Sequence, residues 1–128
     1  MLNNSPIFTI LPASDRERAR EFYSEKLGLK PSQVQPNGDL EYDTGGIRFY
    51  VTKSSGNSSG DFTQASWAVA DIEATVAELR SRGVVFEEYD LPELGMKTAN
   101  GITPVPELGR AAYFKDSEGN LLGMIEFG

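Results

Sequence analysis

The side chains that usually carry chemistry at neutral pH are missing: the 128 residues include no histidine and no cysteine. A serine–histidine hydrolase, a thiolate nucleophile and a zinc site built on nitrogen or sulfur are excluded within this chain. A metal would have to be held by oxygen, which favours magnesium, calcium or manganese. The carboxylates nearest to the strand patterns are Glu41, Asp43 and Glu126, and edge or exposed strand positions account for each of them. Gln64 is an isolated amide; it could orient a ligand by donating and accepting hydrogen bonds, or bond to a neighbouring strand. Tyr113 and Lys115 fall on one face of a strand pattern, from which Tyr113 could donate a hydrogen bond to a ligand. With 12 Lys and Arg against 19 Asp and Glu, the net charge is −7. Such a surface repels phosphate backbones, so nucleic acid is not an expected partner. The one basic cluster, "DRERAR" at 15–20, alternates with acids and reads as the solvated face of a helix.

Repeated local signals position these side chains. The first strand is predicted over Ile7 to Leu11. A helix follows, with Ser14 read as its N-cap and Glu17 completing a capping box. Ala19, Phe22, Tyr23 and Leu27 form its apolar face; Gly28 and Pro31 stop it. Strands at 39–44 and 47–53 flank Gly45-Gly46, a hairpin turn. The run "SSGNSSGD" (54–61) has little to pack and reads as a flexible linker. The order then begins again: a strand at 64–70, a helix capped by Asp71 and ended by Gly83, and strands at 84–91, 109–116 and 120–127. Asp15 and Asp71 are 56 residues apart, and Gly28 and Gly83 are 55 apart. The regularity predicts a repeated βαβββ unit.

The fold class is therefore α+β: two tandem βαβββ modules forming a curved mixed sheet around a pocket. One domain covers 1–128, with module one at about 5–53, the linker at 54–61 and module two at about 62–127. In the strand at 64–70, alternation sets Ala65, Trp67 and Val69 toward a helix and Gln64, Ser66 and Ala68 toward the pocket. The stretch 91–109 holds three prolines and is read as irregular, either a plain surface connection or a lid carrying Met96 over the pocket. No apolar run approaches the roughly 18–20 residues of a membrane span. The start "MLNNSPIFTI" has no basic segment ahead of its apolar run, so a cytoplasmic protein is expected.

Three stretches carry a resemblance to a known family: "ILPASDRERAREFYSEKLGL" (10–29), "WAVADIEATVAELRSRGV" (67–84) and "GRAAYFKDSEGNLLGMIEF" (109–127). They resemble the vicinal oxygen chelate superfamily of glyoxalases, extradiol dioxygenases, and bleomycin- and fosfomycin-resistance proteins. "FYSEKLGL" matches the family's aromatic pair and Leu-Gly helix end. "FKDSEGNLL" matches its Asp-x-x-Gly-Asn turn. In that family four pocket-facing side chains, usually His, Glu or Gln, hold a metal. The resemblance carries those positions to Phe8, Phe49 (to within one position), Gln64 and Gly123. At most one of the four could bind a metal, so no metal and no cofactor are expected, and metal-dependent catalysis of the usual kind is disfavoured. A glutamate at Gly123 would be the family's last ligand; glycine there opens the pocket floor, or else marks a bulge or a close backbone approach. The resemblance implies a metal-free protein, assembled as a homodimer, that holds a small apolar or aromatic molecule against Phe8, Ile10, Phe49, Gln64, Ser66, Met96, Tyr113 and Gly123. The alternative it leaves is a lyase, isomerase or dioxygenase with a non-standard metal site.

Overall fold

The computed structural model describes every residue, Met1–Gly128. Its first unit runs β1 (Thr9–Ala13), α1 (Arg16–Leu27), β2 (Gln33–Val34), β3 (Leu40–Thr44) and β4 (Ile47–Lys53). The second runs β5 (Thr63–Ala68), α2 (Ile72–Ser81), a two-stranded ribbon of β6 (Asp90–Leu91) and β7 (Met96–Lys97), then β8 (Ile102–Val105), β9 (Gly109–Lys115) and β10 (Leu121–Phe127). The sheets have the orders β1-β4-β3-β2 and β5-β10-β9-β8. In each, the strand before the helix pairs parallel with the last strand, and the others pair antiparallel. Identical order and polarity make the two units repeats of one βαβββ plan.

The helix starts follow from their caps. The Asp15 carboxylate accepts the Arg18 N–H at 3.0 Å, and that of Asp71 accepts the Ala74 N–H at 3.1 Å. The cap of α1 is thus Asp15 rather than Ser14, whose hydroxyl is turned instead toward Glu118 and Arg18. Gly28 closes α1 at φ 70°, a left-handed conformation that only glycine adopts at low cost. Gly45 and Gly46, both at positive φ, make the β3–β4 hairpin turn.

Two strand expectations shift. The first strand begins at Thr9, leaving Ile7 and Phe8 ahead of it. The stretch 84–91 is not a continuous strand: Val84 and Phe86 are buried, Phe86 makes a single bridge to Phe114, and pairing resumes only at Asp90. The third strand of the second sheet is instead β8, inside the stretch read as irregular. Its Pro104 is tolerated because β8 is an edge strand and needs no donor on its free side.

One core lies between the sheets and the helices and draws on both units. Leu11, Tyr23, Tyr42, Phe49 and Val51 meet Trp67, Val76, Phe114, Leu122 and Met124. As alternation predicts, Ala65, Trp67 and Val69 pack on this side. The aromatic centre is continuous: Tyr42 stacks on Phe49 at 4.9 Å, and Phe49 meets Trp67 edge-on at 6.2 Å.

The turn Asp116–Asn120 latches the units together. Asp116 accepts the Tyr23 hydroxyl at 2.7 Å, the Asn120 Nδ2–H at 2.9 Å and the N–H groups of Glu118 and Asn120. Asn120 donates to the Pro12 carbonyl at 2.9 Å, and Arg18 forks onto Glu118. The turn therefore ties β1 and α1 to the second sheet.

The two core tyrosines predict opposite mutational outcomes. The Tyr42 hydroxyl is buried without a protein partner, and burial pushes it up to about 12. Tyr42→Phe should be neutral or stabilising by up to about 1 kcal/mol, because it removes an unpaired polar atom. Tyr23→Phe should cost about 2 kcal/mol, because it breaks a bond to a carboxylate. Urea midpoints of the two variants check the contrast.

Candidate functional site

Each sheet has one face toward the core and one open face. On the first sheet the open face carries Ile10 of β1 and Tyr50 of β4, which are register partners. Phe8, half exposed, lies edge-on to Tyr50 with centroids 4.9 Å apart. These three, with Thr52, Gln35 and Asp39, line an open cavity of about 450 Å³. Phe49 is not part of this site. It is 7% exposed and points into the core, stacked on Tyr42, so the open-face residue of β4 is its neighbour Tyr50. The physical reason is the phase of the hairpin. Phe49 pairs with Tyr42 and Tyr50 with Glu41, and Tyr42 must follow Leu40 into the core.

The second sheet's open face carries Gln64, Ser66, Tyr113, Lys115, Leu121 and Gly123. The β6–β7 ribbon rises over part of it. Tyr89, just before the ribbon, meets Tyr113 edge-on at 6.0 Å. Burial, then the charge of Glu87, raise the Tyr89 hydroxyl above its ordinary value. Leu91, Leu94 and Met96 of the ribbon, Phe62, Tyr113 and Leu121 enclose a cavity of about 380 Å³. Lys115 and Glu87, 3.7 Å apart, stand among its lining residues with Asp61. Met96 and Tyr113 line one cavity. Phe8 and Ile10 belong to the other. Phe62, Tyr89 and Leu121 stand in no local pattern that marks a site; Phe62 is an aromatic ending a side-chain-poor linker.

Gly123 owes its identity to its cross-strand partner. It pairs with Tyr113, whose ring lies over it. A Cβ there would sit 3.2 Å from that ring and 2.7 Å from the Ser66 Oγ. The space is filled by Tyr113 rather than left as an opening in the floor, the close-approach reading of a strand glycine. Gly123→Ala should cost about 1 kcal/mol through this overpacking, and Ser66→Ala in the same chain should restore part of it, as read from thermal midpoints.

The donor set does not fit a family-type metal. Gln64 spends its Oε1 on the Leu121 N–H at 3.3 Å, the strand-bonding alternative for that amide. Phe8 offers only a ring, Tyr50 a single phenol oxygen and Gly123 nothing, and no three acidic side chains converge. Glu41 is engaged by Gln35 and Ser32. Glu126 lies on the helix side, where it accepts the Ile72 N–H at 2.9 Å and pairs with Arg110. That N–H, and then the Arg110 guanidinium, hold its carboxyl below the usual range. It serves the α2 N-terminus and is not placed as a base in either cavity.

The fold defines a class, a tandem βαβββ protein with two curved sheets, each with one open face. The chain belongs to the glyoxalase/bleomycin resistance protein/dioxygenase superfamily, whose sequence profile matches residues 7–124. It is similar in structure to TnmS3, an antibiotic-binding protein from Streptomyces sp. CB03234, at 24% identity and TM-score 0.64, over 94% of this chain and 93% of that one. It is similar to a glyoxalase/bleomycin resistance protein from the same organism at 25% identity and TM-score 0.61, over 93% and 97% of the two chains. The fosfomycin resistance protein FosX of Listeria monocytogenes shares 10% identity at TM-score 0.73, over 98% and 93%. No functionally curated sequence matches the chain. No helix is long and apolar enough to cross a membrane.

Proposed function

We propose that the chain is a metal-free binding protein of the cytoplasm that holds a small apolar or aromatic molecule between the open face of the second sheet and the β6–β7 ribbon. The observation that carries this reading is the cavity of about 380 Å³ walled by Phe62, Tyr89, Leu91, Met96, Tyr113 and Leu121. Its size and lining suit a compact ligand bound by apolar burial and ring contact, with Lys115, Glu87 and Asp61 available to polar substituents. The antibiotic-binding relative with the same fold supports the reading. The first sheet's open face, with Phe8, Ile10 and Tyr50, carries no ribbon of its own. A second copy of the chain laid over it would bring the two half-sites together, which is the basis for proposing a homodimer.

The test uses anilinonaphthalene sulfonate as an apolar aromatic probe on protein held in a chelator. Binding should be saturable without added divalent ions. Tyr113→Ala should weaken it about tenfold, the loss of one ring contact plus its burial. A requirement for manganese or magnesium, or an unchanged affinity in a folded Tyr113→Ala, would overturn the proposal. Sedimentation of the same samples reports the subunit count.

A further inference from the structure

A third cavity lies away from both open faces, on the helix side, where the two units meet. It is a half-open groove of about 220 Å³, and eight of its ten lining residues are hydrophobic. Leu27 and Leu29 at the end of α1 and Leu79 of α2 form one side; Trp67, Phe114 and Met124 form the other. None of the lining residues is charged. Phe114 and Met124 are fully buried, and the Trp67 ring lies nearly parallel to that of Phe114, 10° apart in plane. Phe114 and Met124 belong to the core, and the partly exposed Trp67 packs against it.

Beside the groove the Lys26 ammonium lies over Gly83 and the Arg82 guanidinium over Gly28, each cation near the negative end of the other helix.

We propose that this seam is a second ligand site, for a neutral molecule of about one aromatic ring bearing at most one hydroxyl. A volume of about 220 Å³ leaves room for one ring with one or two small substituents and not for a fused polycyclic. No charged side chain lines the groove itself, so a neutral ligand fits it better than a charged one. The two polar lining residues are Thr44 and Thr75. The Thr75 hydroxyl donates to the Asp71 carbonyl at 2.8 Å, which leaves its oxygen free to accept a proton from a ligand hydroxyl. The occupant touches both units and is separate from the open-face site, so the two sites can be filled together.

Toluene and p-cresol are the probes, titrated into the full chain. Trp67, the sole tryptophan, reports by its emission, and carbon-13 methyl spectra locate the site. A saturable response is expected, with shifts at Met124 and Leu79 and none at Met96, unchanged when anilinonaphthalene sulfonate is already bound. Thr75→Met, which projects a longer side chain into the gap, should weaken toluene roughly tenfold. If that variant does not fold, the methyl map of the unaltered chain decides. A linear response up to the solubility limit, shifts at Met96 instead of Met124, competition by the sulfonate, or unchanged toluene affinity in a folded Thr75→Met would each overturn the site.

Discussion

Asp116→Ala is expected to remove about 3–5 kcal/mol of stability, because several buried donors lose one shared acceptor at about 1–3 kcal/mol each. The carboxylate is 7% exposed and accepts four hydrogen bonds. Its loss leaves the Tyr23 hydroxyl, the side-chain amide of Asn120 and two backbone N–H groups without that acceptor. Tyr23 is fully buried, so its hydroxyl has no water to turn to, and each orphaned donor costs about 1–3 kcal/mol. A domain of this size has a total stability of about 5–15 kcal/mol, so the variant should sit close to unfolding at ambient temperature. Urea denaturation measures it. Tyr23→Phe combined with Asp116→Ala should cost less than the sum of the two single changes, because both act on one bond. A loss below about 1 kcal/mol for Asp116→Ala would show that the latch is not what joins the units.

The latch also marks where the sequence stops being informative. Its turn is legible from Asp116 to Asn120, because an Asx-type residue followed by glycine specifies local geometry. Its partners are not: Tyr23 is 93 residues away and Pro12 is 108, and no local pattern links such positions. The helix termini were legible to within a residue, since Asp15, Asp71 and Gly28 act on groups one turn away. The β3–β4 hairpin was legible for the same reason, through Gly45 and Gly46. Strand phase was harder. Phe49 and Tyr50 are both aromatic, so alternation in β4 has no contrast at the place where it had to decide, and the core settles it through Tyr42. The edge strand β8 was hidden by Pro104, because a rule that bars proline from sheet interiors does not bar it from an edge. The open-face cavity was half legible. Tyr113 and Met96 came from pattern and position, whereas Phe62, Tyr89 and Leu121 reach it only through the path of the ribbon and the end of the linker.

Acid is expected to weaken the fold through Glu118. Its side chain is 1% exposed. Burial alone would push its carboxyl up, but the Arg18 guanidinium, the Asp15 N–H and the Ser117 hydroxyl all stabilise the charged form and bring it to about 2. The unfolded chain titrates this group near about 4.3. The folded state therefore binds its proton less readily than the unfolded state, and stability rises with pH across that interval. The contribution is fully present above about pH 5, falls through the unfolded value, and is gone below about pH 2. At its upper bound it amounts to about 3 kcal/mol, less whatever the half-exposed Arg18 loses to solvent screening. Unfolding midpoints measured from pH 7 to pH 2 should therefore fall most steeply between about pH 5 and 2.5. In Glu118→Gln that slope should flatten while stability at pH 7 drops, because the neutral amide keeps the shape and surrenders the charge. A variant with the same acid slope as the unaltered chain would assign the loss to other carboxylates. It would also leave the latch resting on the Asp116 hydrogen bonds without help from the ion pair, so the two substitutions together separate the neutral half of the junction from the charged one.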